Sequence, residues 1–406
     1  MALRSPPAGL DPRQAMPVPE ERWESYDCEL VTPLYGGGVT AGEVDEKMPV
    51  RASAIRGQLR FWWRLLARHR RKLVGDELRQ REFDLWGGLG NPVQASKLWL
   101  RVSGVRGIEA APWATYTRNW NGAWKGLPDP EAWANAPYAL FPAQGKKPGL
   151  RDSQSPTELA RPGLQWRLEM RFAENCSAVQ KEECIEALRW WASFGGVGAR
   201  SRRGLGAVRM PGLSAVDAAE AAAAGCTLVL AGAAKPAATP AWIDAIEKLR
   251  RFRQGENVGR NTGTTPNRPG RSRWPEADAL RRLTQWHAPQ HSPQHPAGQV
   301  FPRAAFGLPI IFQFKDEGAG DPAKFTLLPE KADRLASPLI LRPYHREGKW
   351  FSAALLLPHD HAMKMALVMP DTSVAQADQW LDSASPALMP PLGQDALHAF
   401  LRFFSR

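Results

Sequence analysis

PLYGGGVTAGEVDEKMPVRASAIRGQLRFWWR, residues 33–64, carries the passage from a strand into a helix on which the fold of this chain turns. Just upstream, YDCELVTPLY (26–35) alternates polar and apolar residues, which predicts a strand. Downstream of Pro49, Ile55, Leu59, Trp62, Leu65 and Leu66 recur at helical spacing, which predicts a helix over 53–72. The glycines between them invite a dinucleotide reading, since Gly36, Gly38 and Ala41 match G-x-G-x-x-A. That fold needs its helix at once, whereas Pro49 and the acidic GEVDEK delay this one by about ten residues. The dinucleotide reading is rejected.

Working outward, GDELRQREFDLWGG predicts a short helix ending at Gly87 and Gly88, and SKLWLRVSGV (96–105) a strand. A Pro-, Gly- and Trp-rich insertion without period follows, over about 111–162. LQWRLEMRF (164–172) then reads as a strand, CIEALRWWASF as a helix and GAVRM as a short strand. Without the insertion, residues 23–212 read strand-helix-strand twice, the ferredoxin-like order. Residues 1–22 read as a loose Pro-rich arm, and the Ala-rich 215–239 as a variable connection. Beyond it, AWIDAIEKLRRFRQG and PEADALRRLTQW read as helices. LPIIFQF, FTLLP, SPLILRPY, FSAALLLP and MALVMP read as strands, and GQDALHAFLRFF as a last helix. Residues 213–406 are therefore expected to form a second α+β domain.

The chain has 406 residues, 43% hydrophobic and 23% charged, which is a globular composition with room for sizeable cores. Four cysteines at 28, 176, 184 and 226 form no C-x-x-C pair and are expected to be reduced and buried. The N-terminal residues lack the apolar core of a signal peptide, and the apolar stretch 221–234 is too short to span a bilayer. A cytoplasmic protein without membrane partners is expected.

Lys and Arg number 53 against 41 Asp and Glu, a net charge of +12. The excess is concentrated. Residues 51–72 carry +8, residues 248–273 carry +7, and the remainder is slightly acidic. Arg56, Arg60, Arg64 and Arg68 stand four apart, so on a helix they form one ridge of like charges that repel unless an anion relieves them. In GGVGARSRRGLG (195–206), glycines permit close backbone approach while Arg200, Arg202 and Arg203 supply charged donors. The third cluster interleaves Gly and Asn with Arg260, Arg271 and Arg273, a composition that orders on a phosphate chain.

Other chemistry is poorly represented. His287, His291 and His295 are spaced by four, but Pro289, Pro293 and Pro296 break any helix that would bring them to one metal. No Ser-His-Asp, H-E-x-x-H or Walker A pattern occurs, and no metal or cofactor is expected. The loop carboxylates Glu43, Asp45 and Glu46 could serve acid–base chemistry on RNA, although a lone acidic loop is more often solvated. The insertion's Trp113, Tyr116, Trp120, Trp124, Trp133, Tyr138 and Phe141 could stack bases, anchor a protein interface, or fold back on their own domain.

Residues 33–64 followed by GGVGARSRRGLG resemble the RAMP superfamily of CRISPR-associated proteins, and within it the family of Cmr subunit one of type III-B effector complexes. SRWPEADALRR, RAAFGLPIIFQF and RLASPLILRP extend the resemblance over about residues 24–360. It implies two ferredoxin-like (RRM-like) modules, the first carrying the insertion. It also implies a non-nucleolytic subunit that caps the backbone filament near the 3′ part of a guide RNA and helps hold the guide–target duplex. Its partners would be guide RNA, target RNA and other RAMP subunits. With the charge pattern, it points to RNA binding by Lys47, Arg51, Ser53, Arg56, Arg60, Arg64, Gly196, Gly198, Arg200, Arg202, Arg203, Arg271 and Arg273. In related subunits a loop aspartate after the first strand cuts target RNA. Asp45 occupies a comparable loop, so a metal-independent RAMP endoribonuclease is the second reading.

Overall fold

The computed structural model describes residues 22–40, 42–89, 92–263, 270–314, 320–360, 365–369 and 395–406. All but the last residue of the expected N-terminal arm, 1–22, lies outside them. The first half runs β1 (Glu24–Leu30), α1 (Ala52–His69), α2 (Gly75–Trp86) and β2 (Leu98–Arg106). After the insertion come β7 (Gln165–Phe172), α4 (Ala178–Phe194) and β8 (Val208–Arg209). The insertion itself holds β3 (Ala110–Pro112), β4 (Ala114–Thr115), β5 (Asp129–Pro130), α3 (Pro137–Leu140) and β6 (Glu158–Ala160).

Strands β2, β7, β1 and β8 form one antiparallel sheet in that order. Cys28 faces Trp166 and Tyr26 faces Leu168 in the β1–β7 register, so the even-numbered residues of both strands point to one core. Helices α1 and α4 pack together over it, burying Ile55, Leu59, Trp62 and Trp63 from one and Leu188, Trp190, Trp191 and Phe194 from the other. Ser177 opens α4 with a capping box to Gln180. The indole of Trp63 donates to the buried Glu183 carboxylate at 2.8 Å, which satisfies a polar edge inside the aromatic core. All four cysteines are buried and unpaired, and burial pushes the Cys28 and Cys226 thiols up to about 12.

The insertion folds back, but onto the second half of the chain. Trp113, Ala139, Leu140 and Leu159 lie in one core with Trp242, Leu249 and Phe252. Its regular pieces are two to four residues long, too short for any period to register.

The second half runs α5 (Ala218–Ala223), β9 (Thr227–Lys235), α6 (Ala238–Gln254), α7 (Glu276–Thr284), β10 (Ile310–Phe312) and β11 (Phe325–Pro329). Then come β12 (Leu339–Arg346), β13 (Lys349–Leu356), β14 (Leu367–Val368) and α8 (Ala396–Phe404). Two three-stranded sheets result, ordered β12-β13-β9 and β10-β11-β14. Strand β9 corrects the reading of 215–239 as a connection. Its Ala and Gly content hid it, because those residues are weak strand formers; pairing with β13 supplies the order.

The β12-β13-β9 sheet joins the halves. On β12, Leu339 and Leu341 enter the core of the second half, while Ile340 and Tyr344 enter that of the first. A sheet covered on both faces needs apolar residues on both, which is why SPLILRPY reads as a continuous apolar run. No helix among the described residues is long and apolar enough to cross a membrane.

Candidate nucleic-acid interface

Beyond β1 the chain is clamped from both sides. Leu34 donates its N–H to the Ala160 carbonyl at 2.9 Å, and Pro33 and Tyr35 accept from Gly206 and Ala199 at 2.8 and 2.7 Å. The buried Thr32 hydroxyl donates to the Gly204 carbonyl at 2.6 Å and accepts from the Ala207 N–H at 2.8 Å. These bonds press the two glycine-rich segments of the sequence together. Gly198 sits at φ +73°, and a Cβ there would lie 2.4 Å from Leu34 Cδ1 and 2.7 Å from the Tyr35 carbonyl. Only glycine accepts both the conformation and the contact. A Cβ on Gly37 would stand 3.7 Å from Gly198 Cα, so the two turns meet backbone to backbone.

The loop 43–51 borders this surface. Gly38 donates to the Glu43 carbonyl at 2.9 Å. Asp45 orders the stretch that leads into α1: its Oδ1 accepts from the N–H groups of Lys47 and Met48 at 3.1 and 3.0 Å, and its Oδ2 pairs with Arg51 at 3.2 Å. The Met48 N–H and the Arg51 guanidinium hold the Asp45 carboxyl below the usual range. Lys47 and Ser53 are exposed. Arg51 is the N-cap residue of α1, provides no side-chain cap, and no acidic residue occupies the first turn. The start of α1 thus lacks both a side-chain cap and a first-turn acid beside the glycine surface, an arrangement that suits a bound anion.

Arg200 lies on the same surface at φ +59°. Its guanidinium rests 5.0 Å from the Phe141 ring of the insertion, and its buried Nε has no hydrogen-bond partner among the described residues. Burial pulls its pKa down, against the opposing influence of Tyr35 and Tyr138.

The arginine ridge of α1 has a different role from the one its spacing suggested. Glu82 of α2 pairs with Arg60 and, through both oxygens at 2.7 Å, with Arg64. Arg56 donates to the carbonyls of Leu98 and Trp86 at 3.0 and 2.6 Å. The repulsion inferred from i,i+4 spacing is therefore relieved inside the protein. Arg70 and Arg71 likewise meet Glu186, and Arg71 and Arg81 meet Glu183. The relieving acids stand on α2 and α4, where a reading of one helix cannot see them. Arg68 forms no ion pair among the described residues. With Arg64, Arg202 and Phe61 it lines a cavity of about 370 Å³ between the halves.

The remaining predicted arginines are also engaged. Arg202 bonds the Ser337 carbonyl and lies 5.5 Å from the Phe61 ring. Arg203 donates to the carbonyls of Leu339 and Phe306 at 3.1 and 3.0 Å. Arg271 meets Asp278 at 2.7 Å and the Ser292 carbonyl at 2.6 Å, and Arg273 the Asn257 carbonyl at 2.6 Å. Gly196 bridges to Ala207 and closes the base of its loop. The structure therefore gathers Gly198, Lys47, Ser53, Arg200 and Arg51, the last paired with Asp45, on one surface. It places Arg56, Arg60, Arg64, Arg202, Arg203, Arg271 and Arg273 in intramolecular contacts. Arg268 of the third cluster lies outside the described residues.

The three spaced histidines go separate ways: His291 to Asp321 at 2.6 Å, His295 to the Arg273 carbonyl at 3.1 Å, and His287 to the Ala288 carbonyl at 3.1 Å. Two residues that shape the site left no mark in the sequence. Thr32 lies just past the end of β1, and Glu82 in an ordinary charged helix.

Residues 27–209 match the RAMP superfamily. No curated protein matches the chain. Among solved structures it is similar to Cmr1 from Pyrococcus furiosus in its apo form, with 15% identity, a TM-score of 0.42, and coverage of 89% of this chain and 100% of that one. It is also similar to a chain of a type III-B Cmr-beta complex bound to cognate target RNA, with 11% identity, a TM-score of 0.39, and coverage of 83% and 94%. The matched stretch, residues 27–209, runs from within β1 to the end of β8 and holds both glycine-rich segments.

Proposed function

We propose that this protein is a non-catalytic RNA-binding subunit of a type III-B CRISPR effector complex, in which it caps the backbone filament near the 3′ part of the guide RNA. The observation that carries the reading is the meeting of Gly37 and Gly198 beside the uncapped start of α1. Bare backbone, a helix N-terminus and the charges of Lys47, Arg51 and Arg200 together form a bed for phosphates that reads no base edge. Sequence specificity is then left to guide–target pairing, as in other RNA-guided effectors.

We read the architecture as two ferredoxin-like modules. In favour of the first is the strand order β2-β7-β1-β8 with two crossing helices. The second follows β9-α6-β12-β13-α8 with order β12-β13-β9, and a closing strand is missing among the described residues. The endoribonuclease reading is disfavoured by Asp45 itself. Both of its oxygens are occupied, and a carboxylate held ionised by its neighbours is a poor proton donor.

The test is the salt dependence of binding to a single-stranded guide RNA. Lys47→Ala and Arg200→Ala are each expected to lower the slope of log K against log salt by about 0.7, the contribution of one phosphate contact on a single strand. Unchanged slopes in both variants would remove the phosphate bed from the proposal.

A further inference from the structure

His359 lies just beyond the end of β13, while Asp395 and His398 occupy the start of α8. One ligand-capable atom from each lies within 4.8 Å of the other two. The hydrogen bonds around them determine which atoms face inward. His359 Nδ1 is 3.0 Å from the Leu357 carbonyl, a contact that requires its proton there. In the neutral imidazole Nε2 then carries the lone pair, and it stands 4.0 Å from Asp395 Oδ2. Asp395 Oδ1 is taken up as the helix cap, accepting from the N–H groups of Leu397 and His398 at 2.9 and 3.0 Å. Oδ2 is left facing both imidazoles, with His398 Nδ1 at 2.5 Å.

Two imidazole nitrogens and one carboxylate oxygen thus lie within 4.8 Å of one another. A single proton between His398 and Asp395 satisfies that pair and leaves His359 Nε2 facing an anion beyond hydrogen-bonding range. A divalent cation satisfies all three. We propose that His359, Asp395 and His398 bind a zinc-class divalent metal, with a water in the fourth position. Two His and one carboxylate form a known zinc donor set, and tetrahedral Zn–N distances of about 2.0 Å place ligand atoms about 3.3 Å apart. That spacing falls inside the 4.8 Å within which the three ligand atoms lie, so small side-chain rotations would seat the ion.

The site has an outer shell already in place. The Leu357 carbonyl orients one imidazole, and the α8 cap orients the carboxylate. Its position gives the metal a purpose. Leu397, Phe400 and Phe404 insert α8 into the core of the second half, and the ion would tie the first turn of that helix to the end of β13. We therefore assign the site a structural role, holding the last helix in place. Asp-x-x-His at a helix start is too common to be noticed, and its third member lies far upstream, so the set is visible only in the fold.

The experiment uses the full chain, stripped with a chelator and titrated with Zn²⁺ by calorimetry, with Co²⁺ absorption as a readout of coordination geometry. One equivalent of Zn²⁺ is expected, with tetrahedral Co²⁺ bands and a rise in Tm. His359→Ala and His398→Ala, each shown by circular dichroism to be folded, should weaken Zn²⁺ binding by at least about tenfold, the loss that even an outer-shell change produces. Absence of stoichiometric Zn²⁺ in the wild type, or full-affinity binding in both folded variants, overturns the proposal. The site is separate from the glycine surface, so salt-dependent RNA binding should be the same with and without Zn²⁺.

Discussion

Arg342, on strand β12 of the second half, donates to the Gly195 carbonyl at 2.6 Å and so grips the base of the glycine loop that belongs to the first half. The same guanidinium reaches the Val208 carbonyl at 2.9 Å, on the far side of that loop, and its own neighbour Pro343 at 3.0 Å. The residue is buried, and burial pulls its pKa down, yet among the described residues it meets backbone carbonyls and no carboxylate. Through this contact the second half determines the shape of a surface composed almost wholly of residues from the first.

Arg342→Met should therefore act twice. Three carbonyls lose a charged donor inside the protein, and the loss of stability is expected to be about 3 kcal/mol. Urea unfolding should show the lowered midpoint, and RNA affinity should fall even where the variant remains folded, since the loop 195–207 loses its anchor. Wild-type stability would refute the role given to Arg342.

Gly198→Ala tests the meeting of the glycine turns without altering any charge. A left-handed φ and a Cβ 2.4 Å from Leu34 Cδ1 cannot be accommodated together. Strain of about 1–2 kcal/mol is expected, with reduced RNA affinity but an unchanged number of cations in the interface. Filter binding across a salt series separates these effects.

Arg60→Ala makes the opposite case. Its guanidinium is committed to Glu82, so the salt slope of RNA binding should stay at its wild-type value. A slope reduced as much as in Lys47→Ala would show that Arg60 leaves Glu82 for the RNA.

Asp45→Asn should leave RNA intact on a denaturing gel, as the wild type does, because Asp45 orders its loop through Lys47, Met48 and Arg51. Strand scission by the wild type that Asp45→Asn abolishes would establish the nuclease reading instead.

Acid stability should report Asp278. Burial raises its pKa, but Arg271 and the N–H groups of Gln294 and His295 outweigh that and bring it from 3.8 to about 2. The native state thus binds this proton less tightly than the unfolded chain does. The stabilisation is present in full above the ordinary value and is lost as pH falls through about 2. Asp278→Asn should remove about 2 kcal/mol near neutral pH, and its stability should decline less than that of the wild type between pH 4 and 2.

Much of the fold was legible because its signals are local. The period of Ile55, Leu59 and Trp62 set out α1, and the alternation of 164–172 set out β7, since a buried face imposes its spacing on neighbouring residues. Strand β9 was not legible, because small residues carry little preference of their own and gain order only from β13. The insertion was recognised as a segment. Its destination, the core around Trp242, depends on contacts between distant parts of the chain.

The site divides along the same line. By itself the sequence determined two glycine-rich segments and a helix free of acids in its first turn, because glycine and charge pattern are written in consecutive residues. Only the tertiary structure decided which arginines remain for a partner. A guanidinium is claimed by whatever acceptor the fold brings within about 3 Å, and Glu82, Ser337 and Asn257 lie far from their arginines in sequence. Packing, not composition, separates Lys47 and Arg200 from the arginines that hold the protein together.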